Sequence, residues 1–432
     1  MEKAIETTQD DADDYGVNRI NALPDDILSH ILSFLTARES AATSVLSTRW
    51  RYLFIWHPDI DLQYRRPNMK LKGNYSDAFK LFSDFKSFAN RLVLLRNGAP
   101  VRKLKLSFAF LLEDFEVALD SLISAVLEFC QLQQLEIFVD EHFLYRNALS
   151  SPEGLFTCKT LTCLRLEWPK VRLNVPDWAC LPNLKELCLV ESVFFDDGSI
   201  QRLVQGCPLI QELVLHCLLG RDLHDKDAYI QIEIRDIFNP CLKKLVLSFQ
   251  GNLRTDIVVE SKNLESLEYR VIQRVREHKI SIDAPNIKYL DWSGCLCGAK
   301  FILQPKFLVR AKIDLDIGNP SSQDAFKFLN EVKSVESLCL VAPSPVMPCV
   351  MKEECLYGQM PCVMKEERVL LCPKLFPRCP IKHLKEIEFT EFCKCELESK
   401  LVEYPLQNGK VLKKMMVGRS FAKWKSLQVA KE

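Results

Sequence analysis

The sequence predicts an α/β protein. It has a three-helix head, then an irregular leucine-rich solenoid walled by a curved parallel sheet, then a small α+β end. Three observations carry this. A dense apolar helical pattern fills Leu23 to Trp56. A six-residue pattern, apolar-x-x-Leu-x-apolar, then recurs down the middle of the chain. After an exact tandem duplication the chain resumes with a short strand–helix–strand pattern. Self-similarity at a fixed period marks stacked repeats, none of which can bury its apolar face alone.

The head comes first, within residues 17–64, behind an acidic, disordered lead-in at 1–16. Pro24 suits the first helical position, where a missing N–H costs nothing. Asp25 and Asp26 follow in the first turn, where negative charge meets the positive end of the helix dipole. Ile27, Leu28, Ile31, Leu32 and Leu35 form an apolar stripe of helical period. Thr36 and Glu39 match a capping box and start a second helix. Ser47 caps a third, with Trp50, Leu53, Phe54 and Trp56 apolar. A unit this short carries more apolar surface than it can hide, so a partner is expected to cover the surplus.

The pattern LPDDIL…ILSFL…SVLSTRWRYLF resembles an F-box of the plant type. That resemblance implies docking on a Skp-type adaptor and, through it, on a cullin ubiquitin ligase. Carried over residue by residue, it makes Leu23, Pro24, Ile27, Leu28, Leu46, Trp50 and Leu53 the candidate adaptor contacts.

The repeats occupy residues 65–345. Copies stand at VRKLKL (101–106), LQQLEI (132–137), LTCLRL (161–166), LKELCL (184–189) and IQELVL (210–215). Further copies are LKKLVL (242–247), LESLEY (264–269), IKYLDW (287–292) and VESLCL (335–340), with LVRAKI (308–313) a degraded one. Successive copies are separated by 21 to 32 residues, in or just above the roughly 20–29 of leucine-rich repeats. Alternation within each copy is the period of a strand with one buried face. Ile200 to Gln205 reads as a helix between copies, with Gly206 as a left-handed C-cap and Pro208 as a stop. The block GCPLIQELVL resembles plant F-box leucine-rich repeats. The Asn or Cys that usually follows the strand is mostly missing, Cys295 being one survivor, so an uneven arc is expected.

MPCVMKEE at 347–354 recurs at 360–367, which marks 346–371 as a loop. Beyond it, 372–420 resembles the FBD domain through LKEIEF and NGKVLKKM, with strands at Leu384–Phe389 and Lys410–Val417 and a helix at Glu396–Tyr404. Residues 421–432 are expected to be a tail.

Composition excludes several classes of function. Lys+Arg and Asp+Glu both number 57, which argues against broad binding to nucleic acid or anionic membrane. No apolar run approaches the ~20 residues that span a bilayer. The acidic, polar start is not a signal peptide, so an intracellular protein of the nucleus or cytoplasm is expected, with its 18 cysteines reduced and used as small hydrophobes. The close pairs Cys295/Cys297 and Cys393/Cys395 lack a second pair or histidines at ligand spacing, so no metal or cofactor is expected. His383 near Glu386 and Cys393 is the nearest approach to a nucleophile cluster and reads as surface polarity beside a core thiol. No G-x-G-x-x-G, Walker loop, HExxH or G-x-S-x-G is present, and no catalytic residue is assigned.

The position between the last two apolar residues of each copy should face the concave side. In order these are Lys105, Glu136, Arg165, Cys188, Val214, Val246, Glu268, Asp291, Lys312 and Cys339. Cys188, Val214 and Val246 thus form a nonpolar centre with a charged rim, the anatomy of a protein-binding site. The expected function is a non-catalytic substrate receptor in a Skp–cullin–F-box ubiquitin ligase, directing a protein to proteasomal degradation. The alternatives are a Skp-binding scaffold without a degradation target and a small-molecule-sensing F-box receptor.

Overall fold

The computed structural model describes residues 20–64, 75–96, 101–108, 121–127, 131–139, 151–169, 171–194, 198–218, 234–250, 257–271, 280–293, 300–302, 307–314, 332, 335–341, 383–390, 406, 409–419 and 422–428. The acidic lead-in, the tandem duplication, Cys295/Cys297, Cys393/Cys395 and the expected helix at Glu396–Tyr404 lie outside them.

The head is α1 (Asp25–Ser33), α2 (Ala37–Ala42) and α3 (Thr48–Trp56). Pro24 is the N-cap of α1 and not its first helical residue, because its backbone is extended (φ −58°, ψ 153°). The capping box on α2 forms in both directions: Thr36 Oγ1 accepts from the Glu39 N–H, and Glu39 Oε2 accepts from the Thr36 N–H at 2.9 Å. Ser47 Oγ caps α3 by accepting from the Trp50 N–H at 3.3 Å. Each such cap contributes about 1 kcal/mol. Leu28, Leu32, Trp50 and Leu53 make a small private core, while Ala37 and Phe54 belong to the core of the solenoid. The head is therefore seated on the repeats.

The solenoid begins earlier than the repeat pattern suggests. Strand β1 (Asp59–Tyr64) lies inside the stretch assigned to the head and pairs in parallel with β2 (Lys103–Phe108). Between them runs α4 (Tyr75–Arg96), whose Ala89 and Leu92 are buried. Next come β3 (Gln134–Val139), β4 (Cys163–Glu167), the short β5 (Arg172–Leu173), β6 (Glu186–Phe194), α5 (Ser199–Gln205) and β7 (Glu212–Leu218). They are followed by β8 (Ile234–Phe238), β9 (Lys244–Gln250), β10 (Ile257–Glu260), β11 (Ser266–Val271), β12 (Ile280–Asp283) and β13 (Tyr289–Ser293). The last strands are β14 (Lys300–Ile302), β15 (Arg310–Asp314), β16 (Ser337–Val341), β17 (Glu386–Thr390), β18 (Lys414–Arg419) and β19 (Ala422–Gln428).

One sheet runs β1-β2-β3-β4-β6-β7-β9-β11-β13-β15-β16-β17-β18-β19, with β5 beside β6. Its ladders are parallel except the last, β18 with β19. A second parallel sheet, β14-β12-β10-β8, is built from the segments that leave β13, β11, β9 and β7. In the preceding repeat, α5 holds the corresponding place between β6 and β7.

Every copy read from the sequence pairs in phase. The central residues form one register column, Leu104, Leu135, Leu164, Leu187, Leu213, Leu245, Leu267, Leu290, Ala311 and Leu338, and all are buried. The C-terminal region is not a separate unit: β17 and β18 extend the same column with Ile387 and Met415. Nor is 421–432 wholly a tail, since β19 pairs antiparallel on β18.

Two hydrogen-bond devices tie repeat to repeat. At each step two successive N–H groups converge on one carbonyl of the preceding repeat, as Lys185 and Glu186 do on Thr162 O (2.8 and 3.1 Å). Asparagines ahead of the strands form the second device: Asn183 Nδ2 donates to Lys159 O, Asn263 to Pro240 O and Asn286 to Lys262 O, at 2.6 to 2.7 Å. The repeat asparagine expected after the strand thus has a counterpart before it.

Gly206 is not a left-handed cap. Its φ is −70°, and what demands glycine is a close approach, since a Cβ would stand 2.6 Å from the Ala179 carbonyl oxygen.

Candidate docking surfaces

Helix α1 and its C-cap carry two apolar stripes of the same period. Leu28 and Leu32 turn inward, whereas Ile27, Ile31 and Phe34 face solvent. Val45 and Leu46, on the turn before α3, and Tyr52, on α3, are also exposed; Phe34 is 76% and Val45 83% accessible. These six side chains leave bare apolar surface on α1, on the turn before α3 and on α3 of a head of some 35 residues, of the kind that marks a protein interface.

The candidate contacts divide accordingly. Ile27, Pro24 and Leu46 are exposed and Leu23 is half-buried. Leu28, Trp50 and Leu53 are corrected to core, because a three-helix unit spends its central residues on itself; Trp50 is only 4% accessible. The Trp50 indole N–H donates to Asn21 Oδ1 at 2.9 Å. Beside it, the Arg49 guanidinium donates to Asn21 O, Leu23 O and Asp25 Oδ1 (2.5 to 2.7 Å). Arg49 and Trp50 therefore clamp the segment before α1 and set the pose of Pro24 and Ile27. Ile20, Ile31, Phe34, Val45 and Tyr52 are the large exposed apolar residues of the head's described residues outside the assigned contacts. The available signal was an α1 apolar over more of its circumference than one core face requires.

On the sheet, Lys105 to Cys339 form a single register column, as the alternation requires. Its ends are laced by ion pairs. Lys103 Nζ meets Glu136 at 2.7 Å, Arg165 binds Glu167, and Arg270 bridges Glu268 (2.9 Å) and Asp291 (3.2 Å). Such partly exposed pairs contribute at most about 1 kcal/mol each, and they organise the surface more than they stabilise it.

The centre differs from expectation at one point. Cys188 and Val214 are half-buried, but Val246 is 6% accessible and cannot serve as an open contact. The short side chains of Val246 and Ser248 on β9 stand between larger or equal register neighbours on both sides: Val214 and Glu268 flank Val246, and His216 and Arg270 flank Ser248. Glu268 and Arg270 also act electrostatically on His216. Burial, with Arg270, pulls His216 below its usual range, against Glu268 and Glu167.

The thiols here are poor nucleophiles. Burial pushes Cys163 up to about 12, helped by Glu186, and Cys339 up to about 11, helped by Glu388. Cys188 is raised as well, chiefly by burial. Among the described residues no group of three His, Cys, Asp or Glu could hold a metal ion.

A three-helix head seated on a parallel-stranded leucine-rich solenoid defines a repeat protein of the solenoid class with a helical N-terminal module. Comparison with known families assigns each part. The F-box domain matches residues 20–59, the repeats of the FBD-associated F-box protein At5g56370 match 122–301, and the FBD family matches 373–417. Among relatives from Arabidopsis thaliana, the F-box/LRR-repeat protein At1g06630 is 30% identical over 347 residues, 78% of this chain and 74% of the relative. The F-box/LRR-repeat protein At4g14103 is 29% identical over 70% of this chain and 68% of its own length. The FBD-associated F-box protein At4g10400 is 29% identical over 63% of this chain and 64% of its own. The chain belongs to the F-box/LRR-repeat proteins that carry a C-terminal FBD segment.

Proposed function

We propose that this protein is the substrate-receptor subunit of a Skp–cullin–F-box ubiquitin ligase, working in the nucleus or cytoplasm. The observation that carries the reading is the naked face of Ile27, Ile31, Phe34, Val45, Leu46 and Tyr52. A Skp-type adaptor covers that face, and a cullin joins through the adaptor. The concave wall around Cys188 and Val214 holds a protein target. The chain itself supplies no chemistry; it raises the local concentration of the target's lysines beside the conjugating enzyme.

The test is co-purification of adaptor and cullin with wild type and with an Ile27→Asp/Ile31→Asp/Leu46→Asp variant. All three positions are exposed, so the variant keeps its fold. The expected result is loss of adaptor and cullin together. Full retention by a folded variant would remove the docking face from consideration. Val214→Glu addresses the other surface: ubiquitylation of targets should fall while adaptor binding stays.

A further inference from the structure

A cleft of about 220 Å³ lies where the head meets the first two strands. Leu32, Leu35, Ala37, Phe54 and Leu92 form its apolar wall, and His57, Asp59, Asp61, Lys103 and Lys105 its polar wall. Neither the adaptor face nor the Cys188–Val214 centre includes these residues.

Most of the polar wall is already satisfied. Asp59 takes the Arg102 guanidinium on both oxygens, at 2.9 and 2.5 Å. His57 Nδ1 lies 2.7 Å from the Asp59 carbonyl oxygen and 3.2 Å from the Asp59 backbone nitrogen, and Lys103 is held by Glu136. Two charges are left over. Asp61 commits Oδ2 to Gln63 Nε2 (3.0 Å), while its Oδ1 is sealed from solvent with no hydrogen bond among the described residues. Lys105 has no carboxylate within ion-pair reach among the described residues; its ammonium stands 5.3 Å from the Phe138 ring centroid.

Asp61 and Lys105 are register partners on β1 and β2. Opposite charges placed so would ordinarily meet. Here Lys105 leans toward Phe138 on β3 and Asp61 toward Gln63 on its own strand. A carboxylate oxygen sealed without a donor and an ammonium with no carboxylate partner, both among the described residues, stand side by side opposite an apolar wall.

We infer that this cleft binds a small zwitterion with an apolar body, of the kind represented by a free aliphatic or aromatic amino acid. Its ammonium pairs with Asp61, which turns its carboxylate from Gln63 toward the cleft. Its carboxylate pairs with Lys105. Its side chain lies on Leu32, Leu35, Phe54 and Leu92. A simple cation would leave Lys105 unanswered, and a simple anion would leave Asp61 so. The volume, about that of seven waters, suits such a molecule. Because the cleft is bounded by α1 and α2 on one side and by β1 and β2 on the other, occupancy would fix the angle between head and solenoid.

The experiment uses the full chain co-purified with its adaptor and follows thermal unfolding against L-leucine and L-phenylalanine at millimolar concentration. Phenethylamine and 3-phenylpropionate serve as single-charge controls. At least one amino acid should raise the midpoint saturably. The controls should bind at least about tenfold more weakly. Asp61→Asn and Lys105→Met should each weaken binding by about tenfold or more, with the unliganded midpoint kept. No shift with either amino acid overturns the proposal. So does a single-charge control that binds equally well, a result that requires no variant. Adaptor retention is read on the same samples, so failure of the cleft and failure of the docking face are distinguished.

Discussion

The head and the concave wall both present apolar groups to a partner, but in opposite ways. On the head, Ile31, Phe34 and Leu46 stand bare, with polar groups committed to caps and to the Arg49 clamp. On the wall, Val246 and Ser248 are buried, and ion pairs stand beside them on the neighbouring strands. A bare face gives affinity through area alone and suits one unvarying partner. A centre rimmed by charge requires those charges to be matched, which suits discrimination among partners.

The largest effect should separate face from core within the head. Trp50→Ala removes a buried indole and its bond to Asn21, and should lower stability by about 3–5 kcal/mol, read as an early unfolding transition of the head. Ile31→Asp with Leu46→Asp should leave the melting curve in place and weaken adaptor binding at least about a hundredfold, because each covered aliphatic chain is worth about 1.5–3 kcal/mol. If both variants fail by unfolding, the division of α1 into an inner and an outer stripe is wrong. On the solenoid, Gly206→Ala pushes a methyl against the Ala179 carbonyl and should cost about 1–3 kcal/mol in chemical denaturation. An unchanged midpoint would show that the two turns can part freely.

The same contrast explains what the sequence disclosed. Strand copies were legible because period-two alternation with a central leucine leaves one register that buries the leucines. Copies that depart from this wording escaped. The first has His57 where others have an aliphatic residue and Ile60 in place of leucine; the last two carry Ile387 and Met415. The fold accepts Ile or Met there because the site demands volume and apolarity, not a particular branch. In the head, both stripes of α1 are equally apolar and equally spaced, so nothing local says which one turns inward. Burial of Val246 was hidden for a similar reason: it depends on neighbours from adjacent strands that lie far apart in sequence. The junction cleft belongs to residues from 32 to 105 that only the seating of the head brings together.

Thiol reactivity sharpens the contrast by a smaller amount. Only the thiolate attacks an alkylating reagent, so burial that raises a thiol suppresses labelling. Cys163 and Cys207, both pushed up to about 12, and the enclosed Cys217 should resist iodoacetamide in the folded protein, whereas the exposed Cys180 should label before them. Peptide mass mapping over a time course reads the order. Early modification of Cys163 or Cys217 would mean that the centre opens far more readily than its packing suggests.

The smallest effect concerns His216, half-buried on the wall beside Ser248. Its folded pKa lies below the unfolded value near 6.5, because burial and Arg270 outweigh Glu268 and Glu167. The folded state then binds fewer protons than the unfolded chain once pH drops through that value. Stability must therefore be intact above about pH 6.5 and decline as pH falls toward the folded pKa, below which the loss is complete. His216→Gln keeps a polar side chain and removes the titration. Denaturation of wild type and variant from pH 7 downward should show a shallower acid decline in the variant, with nearly equal stability at pH 7. Parallel curves would mean that solvent reaches His216 in the folded state.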